Sequence, residues 1–293
     1  MKLIKNFRSS SLAPTEFLAE VGATPIRYGQ MGSGPPTLLI HGLLGGSFCW
    51  RFILPALAEY STVYAVDLPG LAAADAIGIN SSMSHQAERL LELIRIQGWR
   101  DLTIIGSSLG GAIAMLLAGD DRIADRIRAM VLCAPVNPWS QAGQGRIRFL
   151  CTTIGGLLLR MALPFSSPFH GVVIRRMYGD PSRVPVDAVD GYRESVLRRG
   201  RALNLLTVLR NWNHDVDAVR EAIPRIKVPS LLVWGDRDQA VDPASALDLQ
   251  KNLAQARLAT IPGAGHLPFE ETPDEFVRVV GEFLQKEEVR SRK

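Results

Sequence analysis

A series of short apolar runs, each ending in a turn, constrains this chain most. Five of them lie at 37–40 (TLLI), 62–66 (TVYAV), 102–105 (LTII), 129–133 (AMVLC) and 230–234 (SLLVW), and 257–261 (RLATI) ends the series. A run without polar alternation suits a strand buried on both faces, as in a parallel sheet covered by helices. Helical stretches fall between and after the runs, at 50–59, 84–97, 109–118, 243–254 and 274–285, with serines placed to cap the second. Strands alternating with helices predict an α/β domain with a mostly parallel central sheet and helices on both faces. Ahead of the series, residues 1–16 read as a loose polar arm, 17–27 as two short strands around a turn at 22–25, and 29–36 as a loop. After Ala134 the alternation stops. Residues 137–224 show only helical signals, with many Pro, Gly and Arg, before the strands resume. The expected organisation is a core from 1–136 and 225–293, with a helical cap at 137–224 inserted between its two parts.

The composition of the 293 residues, 47% hydrophobic and 21% charged, is that of a globular domain and excludes disorder. No stretch of 18 residues is both uncharged and apolar throughout. The most apolar candidate, 151–163, is interrupted by Arg160 and holds two glycines, so no integral span is expected. Lys2, Lys5 and Arg8 are not followed by an apolar leader core, and three cysteines without a C-x-x-C pattern do not make a disulfide framework. The expected address is cytoplasmic. The net charge of +4 is concentrated in one place: residues 137–224 hold twelve Arg, no Lys and seven acids, a balance of +5. That excess is too small, and too lacking in a reading motif, for nucleic-acid binding. It reads either as a solvated face or as a basic cap that attracts anionic substrates or makes peripheral contact with a membrane.

The chemistry begins at Gly106-Ser107-Ser108-Leu109-Gly110, a G-x-S-x-G pattern between an apolar strand and a helix. A tight strand-to-helix turn strains the backbone of the central serine, and glycines two positions either side leave room for it. Serine needs a base. Of His41, His85, His170, His214 and His266, the last lies in a loop directly after the final strand, where open α/β sheets gather their ligand chemistry. The loop after 230–234 offers Asp236 and Asp238 to orient that base. No two histidines have the spacing of metal ligands on a helix. No nucleotide, flavin or metal motif is present, so no cofactor is expected.

Taken in order, His41-Gly42, Asp67-Leu-Pro-Gly70, Gly106-x-Ser108-x-Gly110, Gly235-x-x-Asp238-x-x-Val241 and Gly265-His266 resemble the α/β-hydrolase superfamily, from about residue 17 to 284. The resemblance implies that fold, with Ser108 as nucleophile, Asp238 as the orienting acid and His266 as the base. Asp238 is favoured over Asp236 because the family pattern places the acid three residues after the glycine and three before the valine. The oxyanion hole is then the backbone N–H groups of Leu43 and Leu109, and His41 is a structural hydrogen-bonder. The stretch after Gly70 departs from the family's usual glycine and serine, so that loop should differ in shape. A serine nucleophile argues against dehalogenase and epoxide-hydrolase activity, since similar enzymes use aspartate there.

Residues 149–169 of the cap, rich in apolar side chains, have two readings: a wall of the substrate pocket, or the core of the cap itself. His170 and His214 read as cap residues without a role, and the tryptophans as packing, with Trp139 and Trp212 placed where one could line the pocket. The activity implied is that of a carboxylesterase acting on small to medium apolar esters through an acyl-enzyme. The alternative is carbon–carbon hydrolysis of a vinylogous diketone, weakened by Ser107 before the nucleophile and Leu267-Pro268 after the histidine. A lyase, a haloperoxidase and a non-catalytic receptor are further readings of the same fold.

Overall fold

The computed structural model describes residues 13–291 except 23, 73–78, 141–143, 163–166 and 198–200. Its strands are β1 (Thr15–Val21), β2 (Thr24–Met31), β3 (Pro36–Ile40), β4 (Thr62–Asp67), β5 (Leu102–Ser107), β6 (Ile127–Cys133), β7 (Ser230–Gly235) and β8 (Ala256–Ile261). They form one sheet in the order β1-β2-β4-β3-β5-β6-β7-β8. The β1–β2 and β2–β4 pairs are antiparallel and every later pair is parallel. Strands β5 and β7 are buried at every position, as their unbroken apolar runs require.

The helices are α1 (Leu54–Ala58), α2 (Met83–Gln97), α3 (Leu109–Ala118), α4 (Gln144–Cys151), α5 (Thr153–Ala162), α6 (Ser167–Met177), α7 (Ala188–Leu197), α8 (Arg201–Arg210), α9 (Trp212–Ala222), α10 (Ser245–Asn252), α11 (Pro268–Glu271) and α12 (Pro273–Ser291). Two apolar clusters flank the sheet. One joins Leu38, Ile104 and Leu132 to α2 and α3, and the other joins Leu39, Ile105 and Val131 to Trp50, Phe269 and α12. Neighbouring strand residues thus face opposite clusters, and helices cover both faces. Ser82 caps α2 through its hydroxyl, and Gly98 ends it at φ 67°, a left-handed conformation that glycine adopts without strain.

Helices α4 to α9 lie between β6 and β7, in the stretch where the sequence shows no strand signal. None of the helices among the described residues is long and apolar enough to cross a membrane. Two expectations at the start of the chain need correction. The first strand begins at Thr15, inside the supposed arm, because Thr15 to Val21 pair with Thr24 to Gln30 of β2. Strand β2 runs on to Met31, into the supposed loop, because Gly29, Gln30 and Met31 pair with β4. The rest of the arm, 1–12, and most of the loop after Gly70 lie outside the described residues.

Every parallel strand delivers its chain to the same edge of the sheet. Strand β3 ends at His41-Gly42-Leu43, β5 at Ser108, β7 at the 236–241 loop and β8 at the loop before His266. This is the edge at which doubly wound sheets assemble their sites.

Candidate active site

Ser108 occupies the turn between β5 and α3 with φ 53° and ψ −118°, outside the regions that L-residues ordinarily populate. The turn is held by its neighbours: Ser108 N–H donates to the carbonyl of Cys133 (2.9 Å), and its own carbonyl accepts from Gly111 and Val136 N–H (both 3.0 Å). The glycines are required by close approach. A Cβ on Gly106 would sit 2.4 Å from the carbonyl oxygen of Gly110, and one on Gly110 would sit 2.1 Å from that of Ile40 in the neighbouring strand. The His41-Gly42-Leu43 backbone also lies against the serine, since a Cβ on Gly42 would be 3.2 Å from Ser108 Cβ.

His266 and Asp238 meet from two strand ends. His266 Nδ1 lies 2.8 Å from Asp238 Oδ2, and both side chains are buried. The other carboxylate oxygen of Asp238 accepts from Ala240 N–H (2.7 Å) and Val241 N–H (3.1 Å). An ionised carboxylate only accepts, so the imidazole proton sits on Nδ1 and leaves Nε2 free to receive one. Asp236 is turned elsewhere and accepts from Gly263 N–H at 2.7 Å, stapling the β7 loop to the β8 loop.

His41 is also buried, with both ring nitrogens used by backbone. Nε2 accepts from Leu68 N–H (3.0 Å), and Nδ1 donates to the carbonyl of Gly42 (2.7 Å). Burial pushes its pKa from the ordinary 6.5 down to about 4, and Arg201 adds to this, while Asp67 and the Gly42 carbonyl oppose it. The folded value lies below the unfolded one, so the unfolded chain takes up the proton first on acidification. His41 therefore contributes stability that is complete above about pH 6.5 and is lost as the pH falls toward about 4, on the order of 3 kcal/mol. Urea unfolding across that range should show His41→Asn less stable at neutral pH but with a flatter acid slope than wild type. Parallel slopes would refute the assignment.

Arg201, the first residue of α8, reaches the same loop. Its guanidinium donates to the carbonyl of Leu43 (2.7 Å) and to that of Gly70 (3.4 Å). Burial lowers its pKa to about 9. A residue of the helices between β6 and β7 thus fixes the peptide that follows Leu43.

Two cavities meet at Ser108. The first, about 240 Å³, is bordered by Ser108 and His266 together with His170, Ile174, Met177 and Phe269. The second, about 220 Å³, is bordered by Ser108 and Leu109 together with Val136, Asn137, Trp212 and Val216. Leu43 and Ala240 border both, and no Lys or Arg borders either among the described residues. Of the sequence candidates, Ser108, His266, Leu43 and Leu109 border these spaces, and Asp238 stands behind His266. Trp212 borders the second cavity, while Trp139 packs against the core.

His170, read from sequence as without a role, lies in the first wall, where burial, reinforced by Arg193, lowers its pKa. The readings of 149–169 are corrected too. The residues of that run that the structure describes border neither cavity, and Phe149, Ile154, Leu157, Leu158 and Met161 face solvent. The wall comes instead from α6, one helix later.

Glu270 and Glu271 had no sequence signal beyond following the histidine. Glu270 is buried between the Tyr178 hydroxyl (2.6 Å), the Tyr192 hydroxyl and Arg51 (3.2 Å), and burial raises its pKa. The Glu271 carboxylate accepts three backbone N–H groups, from Gly265 (2.7 Å), Gly179 (2.9 Å) and Asp180 (2.8 Å). His266 N–H donates to the carbonyl of Met177 at 2.6 Å.

Comparison with known proteins gives the same frame. A pimeloyl-[acyl-carrier protein] methyl ester esterase of Nitrosomonas europaea is 25% identical over 248 residues, covering 84% of this chain and 94% of the relative. Lipase 1 of Psychrobacter immobilis is 24% identical over 278 residues, covering 94% and 85%. Among solved structures, a meta-cleavage product hydrolase superposes with a TM-score of 0.76 at 23% identity, covering 94% of this chain and all of the other, which is a likeness of fold. Residues 37–279 match the alpha/beta hydrolase family as a whole, from the strand before His41 to the helix after His266, and the chain belongs to that family.

Proposed function

We propose that the protein is a serine hydrolase that cleaves uncharged, apolar carboxylic esters of small to medium size through an acyl-enzyme on Ser108. The observation that carries this reading is the position of Ser108. It stands on a strained turn where two cavities meet, and it shares the first with a histidine already oriented by a buried aspartate. Two cavities at one nucleophile give separate room to the acyl and alcohol halves of an ester.

In the proposed mechanism, Ser108 Oγ attacks the carbonyl carbon while its proton passes to His266 Nε2. The developing oxyanion is held by the N–H groups of Leu43 and Leu109, and Asp238 stabilises the imidazolium. The bond to the alcohol oxygen then breaks, and that oxygen takes the proton from Nε2. Water next gives a proton to His266 as its oxygen attacks the acyl carbon. Ser108 leaves with that proton, and the carboxylic acid is released.

The lack of a bordering Lys or Arg among the described residues favours a neutral ester over an acidic vinylogous diketone, whose charge would be buried without a permanent cation to pair it. The esterase and lipase relatives support the same choice. A panel of p-nitrophenyl esters of graded chain length tests it, with a ring-fission product run beside it. Turnover should be highest at butyrate to hexanoate and fall off by palmitate. Cleavage of the ring-fission product with no ester turned over would reject the reading.

A further inference from the structure

Helix α5 carries its large apolar side chains on the side away from the protein. Ile154, Leu157, Leu158 and Met161 recur at i, i+3, i+4 and i+7 and so share one face. They are 69%, 55%, 50% and 61% exposed. Gly155 and Gly156, by contrast, are buried. A Cβ on Gly155 would lie 2.0 Å from the carbonyl oxygen of Phe149 in α4, and one on Gly156 would lie 3.4 Å from Leu206 in α8. The glycines press the helix backbone onto its neighbours and leave the apolar stripe outside. Phe149 of α4 and Val172 and Val173 of α6 are exposed as well. Single exposed apolar residues are ordinary, but a full stripe on one helix is not.

Charge selects the partner. Residues 144–177 contain Arg146, Arg148, Arg160, Arg175 and Arg176 and no Asp, Glu or Lys. Arg175 and Arg176 are exposed on α6, whose Val173 borders the first cavity. An apolar helical face in an arginine-bearing, acid-free segment complements a surface that is anionic outside and apolar beneath. Two copies meeting through this segment would bring together two stretches that hold arginine and no acid.

We propose that α4 to α6 form a docking face for an anionic lipid bilayer. Helix α5 lies in the interface plane with Ile154, Leu157, Leu158 and Met161 in the acyl boundary, and Arg175 and Arg176 meet lipid phosphates. Val173 is both exposed and at the cavity wall, so docking brings the first cavity close to molecules dissolved in the bilayer. The proposal is read by binding alone and does not depend on the ester reading.

The test is co-sedimentation of the full chain with vesicles of phosphatidylcholine alone and of phosphatidylcholine mixed with phosphatidylglycerol. Wild type should bind the mixed vesicles at least about tenfold better than the neutral ones, and added salt should weaken that preference. The double variant Leu157→Glu/Leu158→Glu should lose at least about tenfold of the binding. An unchanged thermal melt by circular dichroism shows that the variant is folded. Failure of wild type to bind the mixed vesicles, or equal binding by the folded double variant, overturns the proposal. So does a wild-type dimer that the double variant converts to monomer without vesicle binding, which assigns the face to a second copy of the chain.

Discussion

Ser108→Ala should lower ester turnover by about a millionfold while leaving the fold intact. Alanine keeps the Cβ, so the strained φ of 53° costs no more than it does with serine, and the backbone bonds to Cys133, Gly111 and Val136 are untouched. The loss lies in the attacking oxygen alone. KM should change little, because the cavity walls remain. Steady-state kinetics on p-nitrophenyl butyrate measure the effect, and a fluorophosphonate probe should mark wild type at Ser108 and leave the variant unlabelled. Near-normal turnover in the variant would remove Ser108 from the mechanism and the acyl-enzyme with it.

Asp238→Asn should also be severe, though less so, lowering kcat by about ten-thousandfold. The side-chain oxygen can still accept from Ala240 and Val241, so the loop keeps its shape. The amide group, however, now donates to Nδ1 of His266. The ring proton moves to Nε2, the nitrogen that receives the serine proton in the proposed mechanism, so on that reading the base is lost without any movement of atoms. Asp236→Asn is the internal contrast. Its oxygen still accepts from Gly263, and turnover should stay within about threefold of wild type, as expected where no reacting group is touched. Equal losses in the two variants would mean that the pairing seen between His266 and Asp238 is not the one used in turnover.

The parts legible in sequence were those whose surroundings are uniform. Strands β3, β5, β6 and β7 are enclosed on both faces, so their apolar runs marked them to within a residue or two. Strand β2 was harder, because its last residues, Gly29, Gln30 and Met31, are set by antiparallel pairing with β4 rather than by their own preferences. The site candidates were legible because each follows a strand at a fixed distance. Residues such as His170, Met177 and Arg201 carry no such mark. Their positions follow from how the inserted helices pack, which no local pattern encodes. The 149–169 run shows the same limit. Its apolar content left open whether it faced the pocket or the cap's interior, and the packing of Gly155 and Gly156 against α4 and α8, which turns the large side chains outward, is not written in the local sequence.

The three amides gathered by Glu271 join the His266 loop to the start of the segment after α6, and the Met177 carbonyl holds the His266 backbone from the same side. The α6 wall of the first cavity and the loop carrying His266 are therefore tied together by backbone hydrogen bonds. A swing of α6 wide enough to admit a bulky guest would carry residue 266 off its station beside Asp238. Widening the first cavity at that wall is therefore expected to disturb the His266–Asp238 pair as well.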